Sequence, residues 1–149
     1  DKLMKIVKDK NLEDNVVFTG MVKPEEVYKY YQIAHLFVTA STSETQGLTY
    51  IEALSSGCPI VCKYDKSVEG VVLQGRNGFL YKNPWEFTLF TSEILLDKDL
   101  RGELCERAKD KALEYSLGTF ADNMLSLYRK SISCSYQTQG KRRTSRMVC

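Results

Sequence analysis

Short apolar runs alternate with longer amphipathic stretches along this chain. Leu3, Ile6, Val7 and Leu12 recur at helical spacing and predict a helix over about residues 2–11. Asn15-Val16-Val17-Phe18-Thr19-Gly20 reads as a short buried strand closed by glycine. Pro24, Glu25 and Glu26 open a second helix, with proline in the first turn and the acids against the positive end of the dipole. Val27, Tyr30, Tyr31 and Ala34 mark its apolar positions. Leu36-Phe37-Val38-Thr39 is a second strand, and a loop over residues 40–46 leads into a helix over 47–56 that Gly57 is expected to stop. Pro59 to Cys62 gives a third strand, Ser67 to about Leu73 a helical stretch, and Gly78 to Tyr81 a fourth strand. After Pro84 the pattern is helical throughout. Trp85, Phe87, Leu89, Phe90, Ile94 and Leu95 mark one helix, Leu100, Leu104, Ala108 and Ala112 the next, and Phe120, Met124, Leu127 and Tyr128 the last. Strands that are short, apolar throughout and separated by helices predict an α/β fold whose parallel sheet is covered on both faces.

Composition narrows the class. With 149 residues, 43% of them hydrophobic, the chain is one globular domain or part of a larger protein. The formal charge of +2 is uneven. Lys130, Lys141, Arg142, Arg143 and Arg146 fall in residues 130–149, which carry no acid, leaving 16 basic and 19 acidic residues elsewhere. That balance argues against a nucleic-acid-binding core. The domain is expected over residues 1–130 and a basic polar tail, mobile in solution, over 131–149. Cys58, Cys62, Cys105, Cys134 and Cys149 are scattered and odd in number, which suits reduced thiols rather than a disulfide framework or zinc site. His35 is the single histidine, so no multi-histidine metal centre is available. No apolar run approaches the ~20 residues of a membrane-spanning helix. The sequence opens on Asp1 with no signal peptide in view, so it is expected to be an excised piece.

The candidate chemistry lies in Thr42 to Pro59, a strand-end loop running into a helix. Ligands of open parallel sheets bind beyond the carboxyl ends of the strands. A helix start there offers free N–H groups and partial positive charge to a phosphate, and Gly47 lets an oxygen approach the amides of Gly47, Leu48 and Thr49. Glu44 lies in the loop and Glu52 one turn beyond Leu48, about 40° around the axis from it, too far in to cap the helix. Carboxylates beside a phosphate cradle suit the hydroxyls of a nucleotide-sugar. Spacing alone is a poor guide, because Glu106 and Glu114 are also eight apart and read as solvated residues of a charged helix. Placement at a strand–loop–helix junction with glycine between is what singles out Glu44 and Glu52.

The run Ser43-Glu44-Thr45-Gln46-Gly47, with Glu52-Ala53-Leu54-Ser55-Ser56-Gly57-Cys58-Pro59 after four further residues, resembles the E-x7-E region of family-four retaining glycosyltransferases. Val16 to Gly20 is similar to that family's V-x-F-x-G strand, Tyr31 to Ser41 to the segment before the motif, and Gly75-Arg76-Asn77-Gly78 to its G-x-N-G turn. The similarity is colinear over about residues 3–95, which makes it far more specific than one motif. It implies the C-terminal, donor-binding, Rossmann-like domain of a GT-B glycosyltransferase, lacking its first elements and the N-terminal acceptor domain. By that resemblance Glu44 is the catalytic-site carboxylate holding donor-sugar hydroxyls. The amides around Gln46, Gly47 and Leu48 hold the diphosphate, and Glu52 takes the ribose hydroxyls. No metal or other cofactor is implied, and UDP-hexose is the expected donor.

Gln46 and Tyr50 make the run most similar to enzymes that glucosylate diacylglycerol. A cytoplasmic protein, peripheral at the inner face of the cell membrane, would follow, with Lys141, Arg142, Arg143 and Arg146 available to anionic lipid at about 1 kcal/mol each. The basic pair that the family carries before the start of this chain is absent. Lys63 is a substitute phosphate contact at best, and the piece alone is expected to turn over poorly. A non-catalytic nucleotide-sugar-binding or partner-binding module is the alternative. A response-regulator-like domain is disfavoured because Thr19-Gly20-Met21 lacks acids. Arg76 and the pair Tyr64-Asp65 are weaker pocket candidates. His35 falls at the far end of its strand, and Cys58 and Cys62 read as inert buried thiols.

Overall fold

The computed structural model describes residues 2–42 and 47–144. Three parallel strands, β1 (Phe37–Thr39), β2 (Ile60–Lys63) and β3 (Gly78–Tyr81), form a sheet in that order. Phe37 pairs with Ile60 and Ile60 with Gly78, so the amino ends are level. Among the described residues six helices accompany it: α1 (Lys2–Asp9), α2 (Pro24–Ile33), α3 (Leu48–Ser55), α4 (Pro84–Leu96), α5 (Lys98–Leu113) and α6 (Leu117–Thr144).

Alternation along the strands sends side chains to two cores. Ile60 and Cys62 point to a layer with Tyr50, Ala53 and Leu54 of α3, Val68, Val72 and Ala108. Val61 and Phe79 point the other way, to Ile94 of α4 and Leu104 of α5. Helix α5 therefore serves both faces, Leu104 on one and Ala108 on the other. Full burial of side chains such as Leu54, Ile60 and Ile94 contributes about 2 kcal/mol each.

Local chemistry sets the joints. Pro24 and Glu25–Glu26 start α2 as expected. The Asn83 side chain caps α4 by accepting from the Glu86 N–H at 3.0 Å. The Asp97 carboxylate caps α5 by accepting from the N–H groups of Asp99 and Leu100 at 3.0 and 2.9 Å. Gly78 is required by a close approach, since a Cβ there would stand 2.1 Å from the Ile60 carbonyl oxygen.

Three expectations change. Residues 16–20 do not form a strand, and Val17 is 85% exposed. A strand exists only where another supplies its ladder, and among the described residues none lies beside this run. The helical stretch expected from Ser67 to Leu73 is one 3-10 turn, Lys66–Val68, started by the Asp65 side chain. Helix α6 runs past residue 131 to Thr144, so the change to polar, basic composition is not a helix end. That segment contains no proline to break the helix. As far as Ile132 the apolar residues of α6 are largely uncovered, with Phe120 and Tyr128 both exposed.

Candidate functional site

The carboxyl end of β1 leads through Ala40, Ser41 and Thr42 toward α3. The Ser41 N–H donates to the Thr39 hydroxyl at 3.2 Å and turns the chain out of the sheet. Helix α3 starts at Gly47, with φ 59° and ψ 30°, the left-handed region that glycine occupies without strain. A Cβ at Gly47 would meet the Tyr50 ring at 3.3 Å. Glycine offers no side chain to cap α3, and among the described residues none is supplied there. The Tyr50 N–H already bonds the Gly47 carbonyl at 3.0 Å, whereas the N–H groups of Leu48 and Thr49 come before any intrahelical acceptor. Leu48 and Thr49 are exposed, so this end of α3 faces solvent at the carboxyl edge of the sheet.

Glu52 follows one turn later, also exposed. On α2 the hydroxyl of Tyr31 is raised from its usual range, by burial first and then by the charge of Glu52. The Tyr31 ring is fixed beneath the site. It packs edge-on against Phe37 at 5.5 Å and 85°, and Phe37 packs edge-on against Tyr50 at 6.1 Å and 86°. Glu44 and Gln46 lie outside the described residues. Of the five expected donor ligands the structure thus places Gly47, Leu48 and Glu52, all on one helix start.

Other candidates sort by sheet end. Lys63 closes β2 and Lys82 follows β3, so both cations stand at the carboxyl edge, around a cavity of about 410 Å³ that Val38, Tyr81 and Phe87 also line. The ammonium of Lys82 sits 5.1 Å from the centre of the Tyr64 ring. Sequence reading missed Lys82, although Tyr81-Lys82 after β3 repeats the position of Lys63 at the end of β2. The Tyr64 hydroxyl donates to Glu69. Asp65 is occupied in its turn, accepting from the Ser67 N–H at 2.8 Å and hydroxyl at 2.6 Å, which holds its carboxyl below the usual range.

Arg76 precedes β3, at the amino end of the sheet, and lines a cleft with Arg107, Asp110 and Lys111 of α5 and with Glu114 just after it. A nucleotide at the carboxyl edge is out of its reach. Asn77 beside it is buried and structural, its side chain accepting from the Leu73 N–H at 2.7 Å and donating to the Val71 carbonyl at 2.9 Å. His35 likewise precedes β1 and is exposed at the amino end. A cavity of about 970 Å³ lies between the end of α4 and the start of α5, also away from the carboxyl edge. Cys58 and Cys62 are buried, and burial pushes both thiols up to about 12, so they are poor nucleophiles. Among the described residues no group of three or more His, Cys, Asp and Glu is placed to hold a metal ion.

Residues 1–114 match the family described as glycosyl transferases group 1. An alpha-monoglucosyldiacylglycerol synthase of Acholeplasma laidlawii is 35% identical over 126 residues, 85% of this chain and 32% of that protein. The synthase of the same name from Streptococcus pneumoniae is 33% identical over 121 residues, 81% of this chain and 27% of that protein. The chain thus spans about a third or less of the length of these relatives. Among solved structures, a TarM variant of S. aureus in complex with fondaparinux, alpha-GlcNAc-glycerol and UDP superposes with a TM-score of 0.76 at 29% identity, over 86% of this chain and 26% of TarM. Sucrose-phosphate synthase from Thermosynechococcus elongatus reaches the same TM-score at 24% identity, over 89% of this chain and 34% of that one, a likeness of fold. These neighbours are GT-B glycosyltransferases, and the parallel sheet with helices on both faces corresponds to part of that architecture. Colinear motifs, architecture and the family match agree: this chain belongs to the glycosyl transferases group 1.

Proposed function

We propose that this chain is the donor-binding part of a retaining glycosyltransferase that moves a hexose from a UDP-sugar to a lipid acceptor, diacylglycerol being the first to try. The observation that carries the reading is the uncapped start of α3 at the carboxyl end of β1, with Glu52 one turn along. The group 1 match, the names of the two synthases and the UDP in the TarM complex support it. The N–H groups of Gly47 and Leu48, with Gln46, take the diphosphate, Glu52 takes the ribose hydroxyls, and Glu44 takes the sugar hydroxyls as the E-x7-E partner. Leaving-group charge is met by oriented amides and by Lys63 and Lys82, with no metal required. The acceptor attacks from the leaving-group side, which retains configuration.

The donor domain occupies residues 1–130, and the basic stretch after it, helical as far as Thr144, contacts anionic lipid. Among the described residues no helix is long and apolar enough to cross a membrane. A cytoplasmic enzyme held peripherally at the inner membrane face fits those features. An N-terminal Rossmann-like domain carries the acceptor, so the 149-residue chain alone binds donor weakly and turns over poorly. Binding of UDP-, GDP- and ADP-sugars, measured by calorimetry with Glu52→Ala as control, tests the reading. UDP-sugar binding that Glu52→Ala weakens about tenfold is expected. Equal binding by Glu52→Ala, or no nucleotide binding at all, overturns the site.

A further inference from the structure

Attack from the leaving-group side brings the acceptor oxygen and the departing diphosphate to one side of the sugar. The rest of the acceptor then lies next to the groups that meet the diphosphate. Lys63 and Lys82 are such groups, and the cavity of about 410 Å³ that they flank is otherwise largely apolar. Val38 and Ala40 at the end of β1, Tyr81 of β3, and Pro84 and Phe87 of α4 form its walls. Its size falls within the roughly 300–1,000 Å³ usual for small-molecule sites. Among the described residues lining it there is no carboxylate. The cavity between α4 and α5 carries Glu93, Asp97 and Asp99, and the cleft beside Arg76 carries Asp110 and Glu114.

Register puts the cavity on one face of the sheet. Val38 pairs with Val61 and Lys63 with Tyr81, so alternation sends Val38, Lys63 and Tyr81 to the α4 side, opposite α3. Val38 is 43% exposed although it lies inside a strand. Tyr81 and Phe87 pack edge-on at 5.1 Å and give the wall a fixed shape. The amino end of α4 also reaches the cavity, but it is capped. The Asn83 side chain accepts from the Glu86 N–H at 3.0 Å, and the Glu86 carboxylate accepts from the Lys82 N–H at 2.7 Å. Pro84 has no N–H to offer. What the cavity presents is hydrocarbon beside two cations, not a second amide cradle.

We propose that this cavity is an acceptor subsite, holding the first methylenes of a glycerolipid acyl chain beside the diphosphate site. The inference rests on the reading of the chain as part of a lipid-acting retaining glycosyltransferase. It adds that the donor domain itself supplies one wall of the acceptor site. Each methylene that leaves water for such a wall strengthens binding by up to about fourfold.

The test is an NMR titration of the chain with 1-octanoylglycerol and 1-hexanoylglycerol, both below their micelle concentrations, with and without excess UDP. Signals of Val38, Ala40, Tyr81 and Phe87 are expected to shift, with the octanoyl compound about 5- to 15-fold tighter and still bound when UDP is present. Val38→Thr keeps the branched shape and puts a hydroxyl into the apolar wall, which should weaken 1-octanoylglycerol about 3- to 10-fold. Ala40→Leu, at an exposed position outside the strand, fills the cavity mouth and should weaken it likewise. An unchanged unfolding midpoint shows that each variant is folded. Shifts confined to exposed residues of α6 such as Leu125 and Tyr128, or wild-type affinity in both variants, overturn the subsite and leave the donor site standing. Displacement of 1-octanoylglycerol by UDP overturns it too, since the lipid would then occupy the donor site. No UDP binding by the wild-type chain removes the donor reading and the subsite together.

Discussion

At its carboxyl end α3 is closed on itself: the Gly57 N–H donates to the Leu54 carbonyl and the Cys58 N–H to the Ala53 carbonyl, both at 2.9 Å. That paired pattern satisfies the carbonyls a helix leaves over, and the residues around it, Ala53, Leu54 and Cys58, are buried. At its amino end the same helix begins on a glycine with no side-chain cap, and Leu48, Thr49 and Glu52 are exposed. Two ends of eight residues thus carry different duties. One holds the helix against β2 and α5, while the other carries the proposed donor contacts. Stability and recognition should therefore separate along α3.

The largest effect should come from the buried end. Leu54→Ala is expected to cost about 3 kcal/mol in urea unfolding, through lost burial and the cavity left behind. Alkaline pH loosens the same core. Cys58 and Cys62 are raised from an ordinary 9.0 to about 12, so their contribution is complete below pH 9 and lost as pH climbs from 9 toward 12. The urea midpoint should fall over that window, less so in Cys58→Ala/Cys62→Ala, and both thiols should resist Ellman's reagent at pH 8 until the chain is denatured. Gly47→Ala, at the open end, should cost about 1–2 kcal/mol for a non-glycine residue in the left-handed region. It should also weaken UDP binding by tilting the first amides. Leu48→Ala, on the same open turn, should change stability by less than about 0.5 kcal/mol, because an exposed leucine has little to lose. A cost at Leu48 comparable with that at Leu54 would erase the comparison.

Much of this was legible in the sequence where local chemistry decides. Gly57 stops α3, Pro24 starts α2 and β3 runs from Gly78 to Tyr81 as expected. Val16 to Gly20 has strand composition, but a strand is a pairing, and composition cannot show whether a neighbour is present. Arg76 stands beside a motif matched to the family, yet only the direction of β3 reveals that it sits at the wrong end of the sheet. Tyr31 read as one apolar position of an amphipathic helix. Its place in the edge-on ladder with Phe37 and Tyr50 becomes visible only once α2 packs against β1 and α3. Glu44 and Gln46 lie outside the described residues, so their roles rest on the motif alone.

The most direct measurement of the central claim is a nitrogen–proton NMR titration of the chain with UDP. The account predicts that the amide signals of Gly47, Leu48, Thr49 and Glu52 shift together and saturate, while those of Gly57 and Cys58, at the closed end of the same helix, stay in place. Shifts gathered instead around the cavity between α4 and α5, or none along α3, would contradict it.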